Sequence, residues 1–282
     1  MAVDIVFLND EYLPRDDAFV SVDDRGFMFG DGVYEFTPVY GGHFLRMGSR
    51  LDRLRAGLRE LRIDYDVGVV EEIYHGLLGH NGLAEEPMAV VYLQVTRGPA
   101  PRTHAFPPAG TSPTVYAYAG PFCRPPHSEW EKGATAVTFP DFRWGRVDIK
   151  TLQLLPNVLA QEAAQRAGVD EAILVRDGIA LEGARSNLFV VLDGIIRTHP
   201  ASNQILSGIS RELVLDLAQE RRYEIQEGPT PVEKLWQASE VFLTGSSSEV
   251  CPIVRIDGME IGPGTVGPIT RDLYDAFIRS VG

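Results

Sequence analysis

The sequence predicts an α+β protein of two domains, and three observations lead there. Its 282 residues suffice for one large core or for two of ordinary size. Apolar runs of strand length are interspersed with amphipathic helical stretches without strict βαβ alternation. A segment rich in breakers of regular structure, Gly120-Pro121-Phe122-Cys123-Arg124-Pro125-Pro126, separates two strand-rich regions. The expected division is a smaller N-terminal domain over 1–119, a linker over 120–126 and a larger C-terminal domain over 127–282 that carries Lys150. Small ligands commonly bind between such domains, so the interdomain cleft is the expected place for a site.

The elements follow in order. Short apolar runs between residues 3 and 22, such as Ile5-Val6-Phe7-Leu8 and Ala18-Phe19-Val20, alternate with polar breaks and predict short strands joined by turns. Val33-Tyr34-Glu35-Phe36 and His43-Phe44-Leu45, separated by Gly41-Gly42, read as a hairpin. Ser49 is placed to cap a helix that carries Leu51, Leu54, Leu58 and Leu61 on one face. A second helix is expected over 71–78, then strands over 89–96 and 114–119, with a Pro-rich loop over 98–113 long enough to suggest a function.

Beyond the linker, strands are expected over 134–139, 171–176, 178–182, 187–192, 195–198 and 240–244. Asp177-Gly178 and Asp193-Gly194 supply tight turns within that run. Helices are expected over 158–166, 210–222 and 269–278.

Composition narrows the function classes. With 44% hydrophobic and 23% charged residues the chain has globular balance, and no apolar run approaches a membrane span. The N-terminus lacks the basic start and long apolar centre of a signal peptide, so a cytoplasmic location is expected. A net charge of −13 opposes nucleic acid and anionic membrane as partners. Cys123 and Cys251 make neither a disulfide framework nor a metal-ligand spacing, and there is no P-loop, Gly-x-Gly-x-x-Gly or His-Glu-x-x-His.

What chemistry the chain does carry centres on Lys150, set among aliphatic residues just ahead of a helix start in Asp148-Ile149-Lys150-Thr151-Leu152. A lysine there has two readings. Its stem can cover apolar neighbours while the ammonium reaches water, or its amine can be kept neutral enough to form a Schiff base. An imine-forming lysine needs a carbonyl partner, and pyridoxal 5'-phosphate, the best electron sink available to proteins, must be held at both its phosphate and its pyridinium. Ser207-Gly208-Ile209-Ser210 opens a helix whose N–H groups would attract phosphate, and Thr244-Gly245-Ser246-Ser247-Ser248 follows a strand with further donors. Either stretch is equally an ordinary helix cap or polar turn. Arg53 is a further phosphate candidate, and Glu182 a candidate partner for a pyridine nitrogen. Arg102 and His104, two apart in a proline-stiffened loop, could clamp a carboxylate or be plain loop residues.

These stretches resemble the fold type IV (class IV) pyridoxal-phosphate aminotransferases, and most closely the bacterial D-amino acid branch. The resemblance runs nearly end to end. It rests on residues 24–35, on Leu51-Asp52-Arg53-Leu54, on 95–104, on the lysine stretch, on 182–187 and on 244–249. Pro-Arg-x-His at 101–104 is the signal specific to the D-amino acid branch.

The resemblance implies a two-domain enzyme with its site in the interdomain cleft, Lys150 as Schiff-base lysine and Glu182 on the pyridine nitrogen. Arg53, Ile209, Ser210 and Ser246 would hold the phosphate, and Leu206 would pack on the ring. Tyr34, Arg102 and His104 would trap the substrate carboxylate, the last two from the neighbouring subunit of a homodimer. The implied reaction is ping-pong transamination between D-amino acids such as D-alanine or D-glutamate and 2-oxo acids such as 2-oxoglutarate. Branched-chain L-amino acid and (R)-amine aminotransferases and aminodeoxychorismate lyases would share Lys150 and Glu182. Three positions depart from the family pattern: Arg185 where relatives carry a small hydroxyl residue, Gly245 in place of a serine, and Arg50 where many have histidine.

Overall fold

A computed structural model describes residues 4–282, so residue 3, where the first strand-rich stretch was expected to open, lies outside the described residues. The chain divides into two compact units: the part through Cys123 together with Ile149–Gln153, and Arg124–Asp148 together with Leu154–Gly282. The short Ile149–Gln153 segment, expected with the C-terminal domain, groups with the first unit because its backbone bonds to a strand there. Tyr34 N donates to Lys150 O at 3.1 Å and Leu152 N to Gly32 O at 3.1 Å.

The first unit is a six-stranded antiparallel sheet of β1 (Ile5–Leu8), β2 (Glu11–Pro14), β3 (Gly32–Tyr40), β4 (His43–Phe44), β5 (Met88–Thr96) and β6 (Thr114–Pro121). Their order is β2-β1-β6-β5-β3-β4. Three helices accompany it: α1 (Arg25–Phe29), α2 (Met47–Leu61) and α3 (Val70–His80). Alternation along β3 and β5 sends Val33, Val39, Val91, Leu93 and Val95 to one face, where Leu54 and Leu58 of α2 and Ile73, Tyr74 and Leu77 of α3 cover them. The same alternation sends Glu35 to that buried face, a placement that demands partners.

Two expectations are corrected here. Helix α2 starts at Met47, after a left-handed Arg46 with φ of 50°, so Ser49 lies inside the helix and does not cap it. Residues 18–20 join no strand, and Phe19 is 81% exposed.

The second unit is built on a ten-stranded mixed sheet. Its strands are β7 (Ala134–Pro140), β8 (Glu171–Arg176), β9 (Ile179–Gly183), β10 (Asn187–Leu192), β11 (Ile195–Thr198), β12 (Ile225–Glu227), β13 (Thr230–Pro231), β14 (Glu240–Gly245), β15 (Glu249–Ile256) and β16 (Met259–Glu260). The order is β12-β11-β10-β14-β15-β7-β8-β9-β13, with β16 on β15. Helices α4 (His127–Trp130), α5 (Leu155–Arg166), α6 (Ile209–Glu220) and α7 (Pro268–Val281) complete it. Asp177-Gly178 and Asp193-Gly194 make their turns with positive φ at both residues, as the two-residue hairpins require.

Strand β15 went unanticipated because Pro252 sits in its middle and removes a ladder donor. A further pairing, Asn187 opposite Glu182, joins β9 to β10 and closes part of the sheet into a ring. That closure sets a carboxylate and an amide side by side.

Candidate active site

Lys150 is presented by a segment lying against β3, where Val33 and Thr151 form an isolated bridge. Gly32 permits the approach, since a Cβ there would stand 2.6 Å from Val95 O and 2.8 Å from Leu152 Cδ1. Lys150 is half-buried, and its Nζ lies 4.0 Å from the centroid of the Tyr34 ring. Tyr34 and Lys150, two of the expected site residues, are thus brought together.

Behind them Glu35 is 1% exposed and takes a bidentate pair from Arg53, with Nε and Nη2 at 2.8 and 2.9 Å. Arg50 Nη1 lies 3.8 Å from the same carboxylate, while Arg50 Nε and Nη1 donate to Leu45 O and Phe36 O. Burial pushes the Glu35 carboxyl up, but Arg53, Lys150 and Arg50 outweigh it and hold the group below its usual range. Burial also lowers the Arg50 guanidinium to about 10, with Glu35 opposing. Position 50 therefore holds a buried cation beside Glu35. Glu35 was not legible in the sequence, because a carboxylate inside an alternating strand looks like an outward-facing residue until the register is known.

Glu182, 4% exposed at the ring closure of β9 and β10, accepts from Asn187 Nδ2 at 2.9 Å and from Leu206 N at 3.2 Å through Oε2. Arg143 Nη1 donates to Oε1. Asn187 Nδ2 also donates to Leu206 O at 2.8 Å, fixing Leu206 beside the carboxylate. Burial pushes the Glu182 carboxyl up to about 7 against the pull of Arg143. With each of these neighbours a donor, Glu182 retains acceptor capacity that suits a ring N–H.

At the start of α6, Gly208 is the N-cap and offers no side chain to the first turn. A Cβ there would fall 2.0 Å from Asn187 Oδ1. Ile209 and Ser210 are the first residues of the helix, and the buried Ser210 Oγ has no hydrogen-bond partner among the described residues. Thr244 Oγ1, at the end of β14, is likewise buried and without one. Orphaned hydroxyls of this kind ask for an acceptor or donor from outside the chain. In the first turn of a helix with no side-chain cap, the Ser210 hydroxyl fits a phosphate. Ser246 follows in the turn after β14 and is half-buried.

Arg102 and His104 lie exposed in the loop between β5 and β6. Both rest near the Phe29 ring, Arg102 Cζ at 5.2 Å from its centroid and the His104 ring at 5.9 Å. Arg185 is also exposed, with Nε 3.9 Å from Glu171. Among the described residues no group of His, Cys, Asp and Glu is placed to hold a metal, and no helix is long and apolar enough to cross a membrane.

Comparison with known proteins adds identity to this geometry. The family described as Amino-transferase class IV matches residues 32–256. The chain is 39% identical to a D-alanine aminotransferase of Staphylococcus haemolyticus over 278 residues, covering 98% of this chain and 97% of that one. It is 39% identical over 276 residues to a D-alanine aminotransferase of Bacillus licheniformis, covering 98% and 96%. Among solved structures, a branched-chain amino acid aminotransferase of Escherichia coli superposes with a TM-score of 0.91 at 27% identity, over 99% of this chain and 95% of that one. A T.th. branched-chain amino acid aminotransferase, solved with pyridoxamine 5'-phosphate, gives 0.88 at 27%, over 99% and 94%.

Proposed function

The chain belongs to the class IV aminotransferases, pyridoxal-phosphate enzymes, and from that premise we propose that it moves amino groups from D-amino acids such as D-alanine and D-glutamate to 2-oxo acids such as 2-oxoglutarate. The observation that carries this reading is the 39% identity to D-alanine aminotransferases across nearly the whole chain, against 27% for the branched-chain enzymes. The Pro-Arg-x-His run at 101–104 supports it at the level of residues.

Pyridoxal phosphate, when bound, supplies an aldehyde for the amine and a ring that draws electrons from the substrate Cα. The chain's own residues do the rest. Lys150 Nζ would hold the cofactor between turnovers and, once freed, would act as the general base that removes the proton from the substrate Cα. Glu182, as an anion, keeps the ring nitrogen protonated, and Leu206 packs beside it. Ser210, Ile209, Ser246 and Arg53 hold the phosphate, Arg53 in an orientation fixed by Glu35. Tyr34, Arg102 and His104 bind the substrate carboxylate, the guanidinium supplying a bidentate fork. The two half-reactions share these groups, so one substrate's product leaves before the next enters.

A homodimer in which Arg102 and His104 serve the neighbouring subunit fits their exposure. It also fits the exposed apolar side chains Phe19, Val22 and Phe27 in the first unit and Phe142, Leu155 and Val158 in the second. The reading places the enzyme in the cytoplasm, where Cys123 and Cys251 stay as free thiols.

The test is the visible spectrum of the purified enzyme mixed in turn with D-alanine, L-alanine, L-leucine and (R)-phenylethylamine, together with the rate of oxo-acid release. D-alanine is expected to convert the cofactor to its aminated form at least about tenfold faster than the others. Faster reaction with L-leucine or the amine overturns the substrate assignment.

A further inference from the structure

Arg143 belongs to no helix or strand and lies seven residues ahead of the lysine, yet its side chain is 5% exposed and reaches Glu182. It is held from behind. Arg143 Nε and Nη2 donate to Asp141 Oδ1 and Oδ2 at 2.8 and 3.0 Å, and Arg143 N donates to Oδ1 at 3.0 Å. The Asp141 side chain is wholly buried and also pairs with Arg176 Nη2 at 2.8 Å. Arg176 Nη2 in turn donates to Arg143 O at 3.0 Å. With Nε and Nη2 tied to Asp141 along one edge of its plane, and Nη2 also donating to Gln204 O at 3.4 Å, the fork presents Nη1 to Glu182.

We propose that Arg143 is a positioning residue for Glu182, favouring its ionised form and holding it in one orientation so that it can accept from a protonated ring nitrogen. The inference rests on the cofactor reading above and deepens it. Three features of the structure carry it. Arg143, Asn187 and Leu206 N all donate to Glu182, and a neutral carboxyl would turn an O–H toward donors that cannot accept it. Asp141 is a counter-ion to both Arg143 and Arg176, so the contact with Arg143 leaves Glu182 able to serve as the anion for a ring cation. Finally, Glu182 is buried deeply enough that water could not substitute for the guanidinium.

Burial alone would drive the Glu182 carboxyl upward, and the Arg143 charge is the strongest influence opposing that rise, with Leu206 N helping and Asp141 working against it. Removing an adjacent cation of this kind raises a carboxyl by about 1–3 pH units. The sign follows: raised further from about 7, Glu182 becomes more fully neutral at neutral pH, and the acid side of the activity profile moves to higher pH.

The experiment uses the whole chain in two forms. In the cofactor-free protein, infrared difference spectra against Glu182→Gln follow the neutral carboxylic acid signal of Glu182 as pH is raised. Arg143→Met is expected to hold that signal about 1–3 units higher in pH than the parent, and Arg143→Lys to return it toward the parent. Arg143→Gln, which loses the charge and keeps a polar side chain, carries the same test if the methionine variant does not fold. In the holoenzyme the low-pH limb of kcat with D-alanine should move up with the infrared titration, lowering kcat about tenfold on the acid side per unit moved, with KM little changed. A Glu182 titration unmoved in the neutral variants overturns the proposal, as does a kcat limb that stays in place while the titration moves. If the parent holoenzyme does not react with D-alanine, the substrate assignment fails, and the cofactor-free titration still decides the role of Arg143.

Discussion

Arg53 shows how a residue read from sequence as a phosphate candidate carries a second role that the sequence hides. It was legible as a possible phosphate ligand, but its bidentate bond to Glu35 makes it a structural counter-ion as well. Its charge stands on the side of α2 that meets a carboxylate of the sheet's buried face, which no spacing rule along one helix could reveal. Arg53→Met is expected to destabilise the protein by about 3–5 kcal/mol by leaving Glu35 buried without its main partner. A urea unfolding series measures it. The double variant with Glu35→Gln should lose less than the sum of the two single changes, since the stranded charge disappears. Full additivity would mean that the pair is not coupled. Arg143 and Asp141 were illegible for a similar reason: Glu182 and Arg176, the partners that give their pair a role, are distant in sequence and reached only through folding.

Elements were most legible in the sequence where one periodicity ran unbroken. Strands Glu171–Arg176, Asn187–Leu192 and Ile195–Thr198 coincide with their expected bounds, since continuous apolar runs end at Asp-Gly turns that fix them. They were least legible where context overruled a local signal. Pro252 hid β15, and an ordinary-looking Ser49 concealed a helix that begins through a left-handed Arg46. Helix α6 joins both lessons, because its start was expected one residue late and its N-cap glycine turns out to be sterically required. A Cβ at 208 would collide with Asn187 Oδ1, displacing the amide that bonds Glu182 and Leu206 O. Gly208→Ala is expected to lose about 1–3 kcal/mol of stability and to bind pyridoxal phosphate more weakly. Equilibrium unfolding and titration of the cofactor-free protein check the two effects. An unchanged cofactor affinity would show that Asn187 can yield without disturbing the site.

For the whole molecule, buried carboxylates divide into two sets with opposite pH signs. Asp31, Glu35 and Asp141 are pushed up by burial but held below the usual range overall by Arg97 and Arg25, by Arg53, and by Arg143. Their stabilisation is complete above the unfolded carboxylate range near pH 4 and is lost as pH falls below it. Glu182, pushed up to about 7 by burial, works the other way. Its contribution is complete below the unfolded value and disappears as pH rises through about 7. The thermal midpoint of the cofactor-free protein is therefore expected to gain from Glu182 as pH falls from about 8 to 5, and to drop steeply below about pH 4. Glu182→Gln should weaken the first trend, which Glu171, its carboxyl also raised by burial, shares, and keep the second. A Glu182→Gln profile parallel to the parent's throughout would contradict the assignment.

The pairing of Asn187 with Glu182 that closes β9 onto β10 also bears on time. A strand edge frays, exchanging its amide hydrogens through small local openings, whereas a closed ladder must break on both sides at once. The carboxylate is thereby lodged in a stretch whose amides belong with the slowest to exchange. Between one cofactor leaving and another arriving, its place is kept by the backbone itself.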